Sequence, residues 1–384
     1  MRIAYVLTRA DPIGGAQIHV RDVAVAMQAA GHPTILVTGG RGPFLDDLAA
    51  QGVPTVVAPH LTVPIRPLDD ARALREIRAA LAAFRPDLIA VHSSKAGILG
   101  RLAGRSLRVP VVLTAHGWSF TPGIPGLQAA LYRRIERLAG PLAARIITVS
   151  EFDRQLGIAA GVAPAHRIVT VYNGMPDVVP ELRADPEQAP ARLVMVARYG
   201  PQKDHPTLLH ALGGLTELPW ELDLVGEGPL RHEVEALTRS LGLADRVHFL
   251  GQRMDVDRIL AGAQVSVLAT NWEGFPLSIL EAMRARLPVV ASAVGGVAES
   301  VRDAESGYLV PRGAVELLRD RIGRLVADPA LRGRMGDSGR ARYERDFTLA
   351  RCAGRTLEVY QDVLAQTAGD AATSRAVQPG VTAR

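Results

Sequence analysis

The sequence predicts an α/β protein made of two Rossmann-like, doubly wound halves facing across a cleft. Three observations carry this. Short β-rich runs alternate with helical patterns along nearly the whole chain, as they do in repeated parallel strand–helix units. The alternation pauses once, at a proline-bearing stretch, and then restarts. Several strands end in glycine turns that lead directly into helices. Paired halves of this kind place ligands between them, at the carboxyl ends of the strands.

In the first half, residues 3–7, 34–37, 55–57, 88–91, 111–114 and 146–149 read as strands. Helical patterns fall at 17–30, 45–51, 68–84, 96–106 and 127–139. A first domain over 1–174 ends at Tyr172-Asn173-Gly174. The segment 175–190 holds Pro176, Pro180, Pro186 and Pro190 among several acids and reads as a linker. A second domain, 191–348, has strands at 193–197, 221–225, 247–250, 265–268 and 289–291, with an edge strand at 308–310. Its helices are expected at 205–212, 230–241, 256–262, 278–284, 315–327 and 331–345. A last helix, 349–366, is expected to pack back on the first domain. The small, polar tail 367–384 is expected to be disordered.

Composition narrows the function classes. The chain has 384 residues, enough for two domains, and is 48% hydrophobic and 22% charged, which fits a globular protein. Cys352 is the only cysteine, so an internal disulfide is excluded and a reducing, cytoplasmic setting is expected. The apolar run 3–7 is too short for a signal peptide, and no stretch approaches the ~20 residues of a membrane span. The net charge of +5 comes from arginine, and aromatics make up only 4%. Without basic residues interleaved with aromatics, nucleic acid is not an expected partner. The basic, amphipathic segment 126–138, with Arg101, Arg105 and Arg108 upstream, suits either an anionic membrane surface or plain solvation.

The chemistry concentrates in a few loops. In Asn271-Trp272-Glu273-Gly274-Phe275-Pro276-Leu277-Ser278-Ile279-Leu280-Glu281, two carboxylates flank a helix start. Pro276 suits the first helical position, and the free N–H groups beyond it form an anion site. The same residues would also make an ordinary capped helix with two surface glutamates. Gly14-Gly15 lies between the first strand and first helix, where backbone can approach a phosphate or simply turn. Arg198 and Lys203 share the loop after the first strand of the second half and could grip a diphosphate, the one by its fork and the other as a point charge, although charge alone favours a solvated loop pair. Gly226-Glu227-Gly228-Pro229 is a further strand–turn–helix junction. His116, at a strand end before Gly117-Trp118, could reach a sugar. His19 reads as a residue on a helix face. Asp255-Val256-Asp257 resembles a metal-holding D-x-D, but a helix N-cap accounts for it, and no metal or other cofactor is assigned.

Together these segments resemble the family 4 glycosyltransferases, whose fold is GT-B. The matching parts are Gly14-Gly15, Ser93-Ser94-Lys95-Ala96-Gly97, Thr114-Ala115-His116-Gly117-Trp118, Asn173-Gly174, Arg198 with Lys203, Gly226-Glu227-Gly228-Pro229, Glu273 with Glu281, and Gly295-Gly296. They occur in the family's order. The resemblance implies retaining transfer of a hexose or N-acetylhexosamine from a nucleotide-sugar without an essential metal. A UDP-sugar is favoured, with GDP-mannose next. It assigns Glu273 to the donor-sugar hydroxyls, Glu281 to the ribose, and Arg198 and Lys203 to the diphosphate. Gly14, Gly15, Gly226, Gly274, Phe275, Pro276 and Leu277 would line the donor, Arg253 and Met254 would flank the base, and His116 would meet the sugar's primary hydroxyl. The 93–97 and 114–118 pair is closest to the capsular and exopolysaccharide branch. That branch implies a sugar or polyprenyl-diphosphate-linked sugar acceptor at the inner membrane face. A nucleotide-sugar 2-epimerase of the same fold and a non-catalytic nucleotide-sugar or polyanion-binding protein are the alternatives. Two positions depart from the pattern: Gln17, where glutamate is usual, and Arg286, at a helix end often held by glycine.

Overall fold

The computed structural model describes residues 1–376 apart from Pro12. Its first sheet contains β1 (Ile3–Leu7), β2 (Thr34–Thr38), β3 (Thr55–Val57), β4 (Leu88–His92), β5 (Val111–Ala115), β6 (Arg145–Thr148) and β7 (Ile168–Thr170). Between them run α1 (Gly15–Ala29), α2 (Pro43–Ala50), α3 (Pro67–Phe84), α4 (Ser94–Leu107), α5 (Gly126–Ala139) and α6 (Glu151–Ala159). The strand order is β3-β2-β1-β4-β5-β6-β7, and every pairing is parallel.

The second sheet is built from β8 (Ala191–Val196), β9 (Trp220–Val225), β10 (Val247–Gly251), β11 (Val265–Leu268), β12 (Val289–Ser292) and β13 (Gly307–Val310), ordered β10-β9-β8-β11-β12-β13. Its helices are α7 (His205–Gly213), α8 (Arg231–Ser240), α9 (Val256–Ala261), α10 (Leu277–Arg284), α11 (Val297–Ser300), α12 (Val315–Ala327) and α13 (Pro329–Asp346). Central strands such as β1 are buried along their whole length, because helices cover both faces of a parallel sheet. Sequence reading missed α6 and β7. β7 has only three residues, too few for a periodicity to register.

The final helix, α14 (Leu349–Ala376), runs beyond residue 366 into the stretch expected to be disordered. The extension is rich in alanine, the strongest helix former. Residues 377–384 of that tail lie outside the described residues. Cys352, Val359, Tyr360 and Val363 of α14 join the core formed by Ile3, Tyr5, Leu7 and the buried face of α1. The chain thus enters the second sheet and returns to the first. No helix among the described residues is long and apolar enough to cross a membrane.

Candidate functional site

The loop from β11 to α10 carries Glu273. Its carboxylate is buried, and both of its oxygens are engaged. Oε1 accepts from Thr270 Oγ1 at 2.8 Å and pairs with the Lys203 ammonium. Oε2 accepts from Gln202 Nε2 at 3.2 Å, and the same amide donates to the Trp272 carbonyl at 2.8 Å. Thr270 and Gln202, which sequence reading did not single out, therefore orient the glutamate. Pro276 falls one residue outside the expected position. Its extended backbone makes it the N-cap, and Leu277 opens the helix. The free amides at this N-terminus are accordingly those of Leu277 and Ser278.

The rest of the loop is set by close backbone approach. A Cβ on Gly295, whose φ is +54°, would lie 1.9 Å from the Glu273 carbonyl oxygen. The Gly296 amide donates to the Gly274 carbonyl at 3.0 Å. Gly274 in turn faces the first sheet, where a Cβ would come within 2.6 Å of the His116 carbonyl oxygen. Asn173 Nδ2 donates to the Phe275 carbonyl at 2.9 Å. The loop bearing Glu273 is thereby fixed from both sheets.

Gly14 is the N-cap of α1 and Gly15 its first residue. A Cβ on Gly15 would meet Leu277 Cδ1 at 3.7 Å, so the N-termini of α1 and α10 approach each other across the cleft. Two helix N-termini aimed at one space favour an anion there. Arg198 follows β8 and is exposed. Gly226, at φ +146°, turns so tightly against this loop that a Cβ would lie 2.2 Å from the Ala197 carbonyl oxygen. The Glu281 carboxylate lies within α10 with no hydrogen bond among the described residues, and burial raises its pKa. Lys203 stands out in composition as well. The chain has only two lysines, Lys95 and Lys203, and Lys95 serves a structural pair with Asp70 at 2.6 Å.

Arg253 and Met254 follow β10 at the rim. Met254 is largely exposed, and Arg253 grips Asp255 through two bonds of 2.8 and 2.7 Å. This pairing, more than anything else, holds the Asp255 carboxyl down at about 2. Asp255 does occupy the N-cap of α9, but its side chain makes no capping bond because Arg253 has taken it. Asp257 pairs with Arg284.

His19 lies in α1, on the face that is buried, beside His92 and His116 with ring centroids 5.7 and 4.8 Å away. His92 Nδ1 and His116 Nε2 are 3.0 Å apart and share a proton donated by one of them. Burial pushes His19 down to about 4 and His92 and His116 well below the usual histidine range, so all three are neutral near pH 7. Their nitrogens lie within 4.8 Å of one another, the one group among the described residues spaced to hold a metal ion. Ligands of a tetrahedral ion bonded at about 2.0–2.1 Å stand about 3.3 Å apart, so the wider separations in the trio would have to close. His92, a strand-end residue inside an apolar run, offered no signal in sequence.

Two further carboxylates lie near the site, one of which joins the domains. Glu299 of α11 accepts from the Glu151 and Phe152 amides at 2.7 and 2.8 Å, capping α6 from the other domain. Asp153 accepts from Ser150 Oγ at 2.8 Å, and burial raises its carboxyl to about 6. Helix α5 exposes Leu127, Leu131 and Leu138 together with Arg133, Arg134 and Arg137. Arg101 is not part of that basic face. It is fully buried, 2.9 Å from Glu136 and hydrogen-bonded to the Gly97 carbonyl at 2.8 Å.

Comparison with known proteins agrees with this geometry. Residues 14–174 match the model of the glycosyl transferase 4-like domain, and residues 181–342 match that of the glycosyl transferases group 1. A UDP-Gal:alpha-D-GlcNAc-diphosphoundecaprenol alpha-1,3-galactosyltransferase from Escherichia coli is 27% identical, covering 86% of this chain and 89% of its own. A phosphatidyl-myo-inositol mannosyltransferase from Mycobacterium leprae (strain TN) is 26% identical over 92% and 94% of the two chains. The structure of Anabaena Alr3699/HepE in complex with UDP and glucose superposes with a TM-score of 0.82 at 24% identity, over 94% of this chain and 100% of that one. The chain is a glycosyltransferase of group 1, with a glycosyl transferase 4-like N-terminal domain and the GT-B fold.

Proposed function

We propose that this enzyme transfers a hexose or N-acetylhexosamine, with retention of configuration, from a UDP-sugar to a sugar or polyprenyl-diphosphate-linked sugar. The observation that carries the reading is the convergence of the α1 and α10 N-termini beside Arg198, Lys203 and two buried glutamates. Helix termini and basic side chains stabilise the diphosphate as it leaves. Lys203 serves both the leaving group and Glu273. The Glu273 carboxylate, already oriented by Thr270 and Gln202, receives the sugar hydroxyls. Glu281, with no hydrogen-bond partner among the described residues, takes the ribose hydroxyls. Gly14, Gly15, Gly226, Gly274, Phe275, Pro276 and Leu277 line the donor, and Arg253 and Met254 flank the base at the rim. His116, half-buried and held neutral by desolvation, bonds the sugar's primary hydroxyl. The leaving phosphate accepts the acceptor's proton on the same face, and no metal or protein base takes part.

The Escherichia coli relative, named for UDP-Gal and a diphosphoundecaprenol acceptor, supports this donor and acceptor class. We assign the enzyme to cell-surface polysaccharide assembly at the inner face of the cytoplasmic membrane. The exposed leucines and arginines of α5 would dock there on anionic lipid. Screening UDP- and GDP-sugars for transfer, then reading the product anomer by NMR, tests the reaction. A donor panel that yields no transfer, or an inverted product, would refute it. Glu273→Ala should abolish turnover, and transfer at the wild-type rate would remove Glu273 from the mechanism.

A further inference from the structure

The diphosphate partners named so far do not include Arg9, a cationic side chain at the end of β1. In the first sheet β1 lies between β2 and β4, and in the second sheet β8 lies between β9 and β11. Each is the strand where its sheet reverses the direction in which strands are added. Parallel sheets bind ligands at the carboxyl end of that switch point. Arg9 stands just past β1, and Arg198 stands just past β8. The two switch points face each other across the cleft, as the contact between Gly15 and Leu277 shows.

Elsewhere in the molecule, buried arginines are engaged: Arg101 pairs with Glu136, Arg284 with Asp257 and Arg340 with Asp177, while Arg332 donates to the carbonyls of Pro186, Leu325 and Val326. The guanidinium groups of Arg9 and Arg198 make no hydrogen bond or ion pair among the described residues. Arg9 is half-buried. Burial and the charge of Arg198 lower its pKa, and only Asp11 acts in the opposite direction. Holding two like charges near each other without a hydrogen-bonded ion pair costs stability, and such arrangements gather at functional sites. The loop is also tethered, since Gln17 Nε2 donates to the Arg9 carbonyl at 3.3 Å.

We propose that Arg9 and Arg198 form a two-sided clamp on a diphosphate, one guanidinium from each domain. The proposal rests on the donor reading above but extends the anion site to the first domain. The diphosphate is that of the nucleotide or that of a lipid-linked acceptor, and both present the same oxygens to the arginines.

Binding of UDP and of inorganic pyrophosphate is measured by calorimetry for the wild type, Arg9→Ala, Arg9→Lys and Arg198→Ala, alongside the KM for a polyprenyl-diphosphate-sugar acceptor. Charge-assisted bonds of this kind are worth roughly 10- to 100-fold in affinity. Arg9→Ala should weaken UDP and pyrophosphate by about that factor, and Arg9→Lys should recover part of it. The ligand-free melting temperature of Arg9→Ala should hold or rise, because a like-charge contact is relieved. A merely structural arginine would lower it. A raised acceptor KM with unchanged UDP affinity assigns the clamp to the acceptor's diphosphate. If Arg9→Ala matches the wild type for both anions and the acceptor while Arg198→Ala is impaired, the clamp is overturned and the donor reading stands. Pyrophosphate binding that needs Arg9, in a protein that transfers from no UDP- or GDP-sugar, supports the clamp and refutes the donor reading.

Discussion

Gly274→Ala is the sharpest single perturbation of this site, because the added methyl group has nowhere to go. Its Cβ would sit 2.6 Å from the His116 carbonyl oxygen and 3.1 Å from Asp153 Oδ2. Ordinary contact requires about 3.5 Å, so the loop or the opposite strand end must retreat by roughly 0.9 Å. The cost is one of overpacking, about 1–3 kcal/mol. That corresponds to a fall in melting temperature of roughly 3–10 °C. The larger effect falls on catalysis, because the neighbouring residue is Glu273, and a displacement near 1 Å costs about 100-fold. Gly213→Ala is the control: it closes α7, and a Cβ there meets no heavy atom within 4 Å. It should raise stability by up to ~1 kcal/mol through helix propensity and leave kcat/KM unchanged. Calorimetric melting and initial rates on the preferred donor measure both variants. The reasoning fails if Gly274→Ala melts within a degree of the wild type and keeps kcat/KM within twofold.

Lys203→Ala should cost roughly 2–4 kcal/mol in urea unfolding, because it strands the buried Glu273 carboxylate. The Lys203→Met/Glu273→Gln double variant should recover more than half of that loss, and simple additivity of the two changes would count against the pairing. Asp153 supplies a pH test. Its folded carboxyl is raised to about 6, so its contribution to stability is present below the unfolded value near 4 and is lost as pH rises through 6. Asp153→Asn should therefore gain about 1–1.5 kcal/mol on the wild type between pH 5 and pH 8, whereas a constant difference would place the titration elsewhere. Arg286 has φ +65° at a helix end, the left-handed geometry that favours glycine. Arg286→Gly and Arg286→Ala both lose the pair with Asp337, so the glycine variant should be more stable than the alanine one by about 1 kcal/mol. Equal stabilities would remove the strain.

Periodicity reached the fold because a parallel strand covered on both faces is apolar along its length, and because glycine turns mark its carboxyl end. Arg198, Lys203 and Glu273 were legible as candidates for the same reason, each standing in a loop at a strand's end, and Glu281 by its place about one turn inside the following helix. The surroundings of His19 were hidden, since one helix pattern cannot show that His92 of β4 and His116, just past β5, meet its buried face. Arg101 looked like surface charge until Glu136, one helix further on, was seen to neutralise it in the interior. Thr270 and Gln202 were not singled out, because their roles are hydrogen bonds to a carboxylate and to backbone carbonyls brought together by the fold, and Asn173 was legible as part of Asn173-Gly174 but not as the donor to the Phe275 carbonyl. The sequence by itself determined two Rossmann-like halves and the chemical types lining their cleft, because local patterning encodes secondary structure and turn geometry. Only the tertiary structure decided which charges are paired, which imidazoles are neutral and which strand ends meet across the cleft, because those depend on burial and long-range proximity.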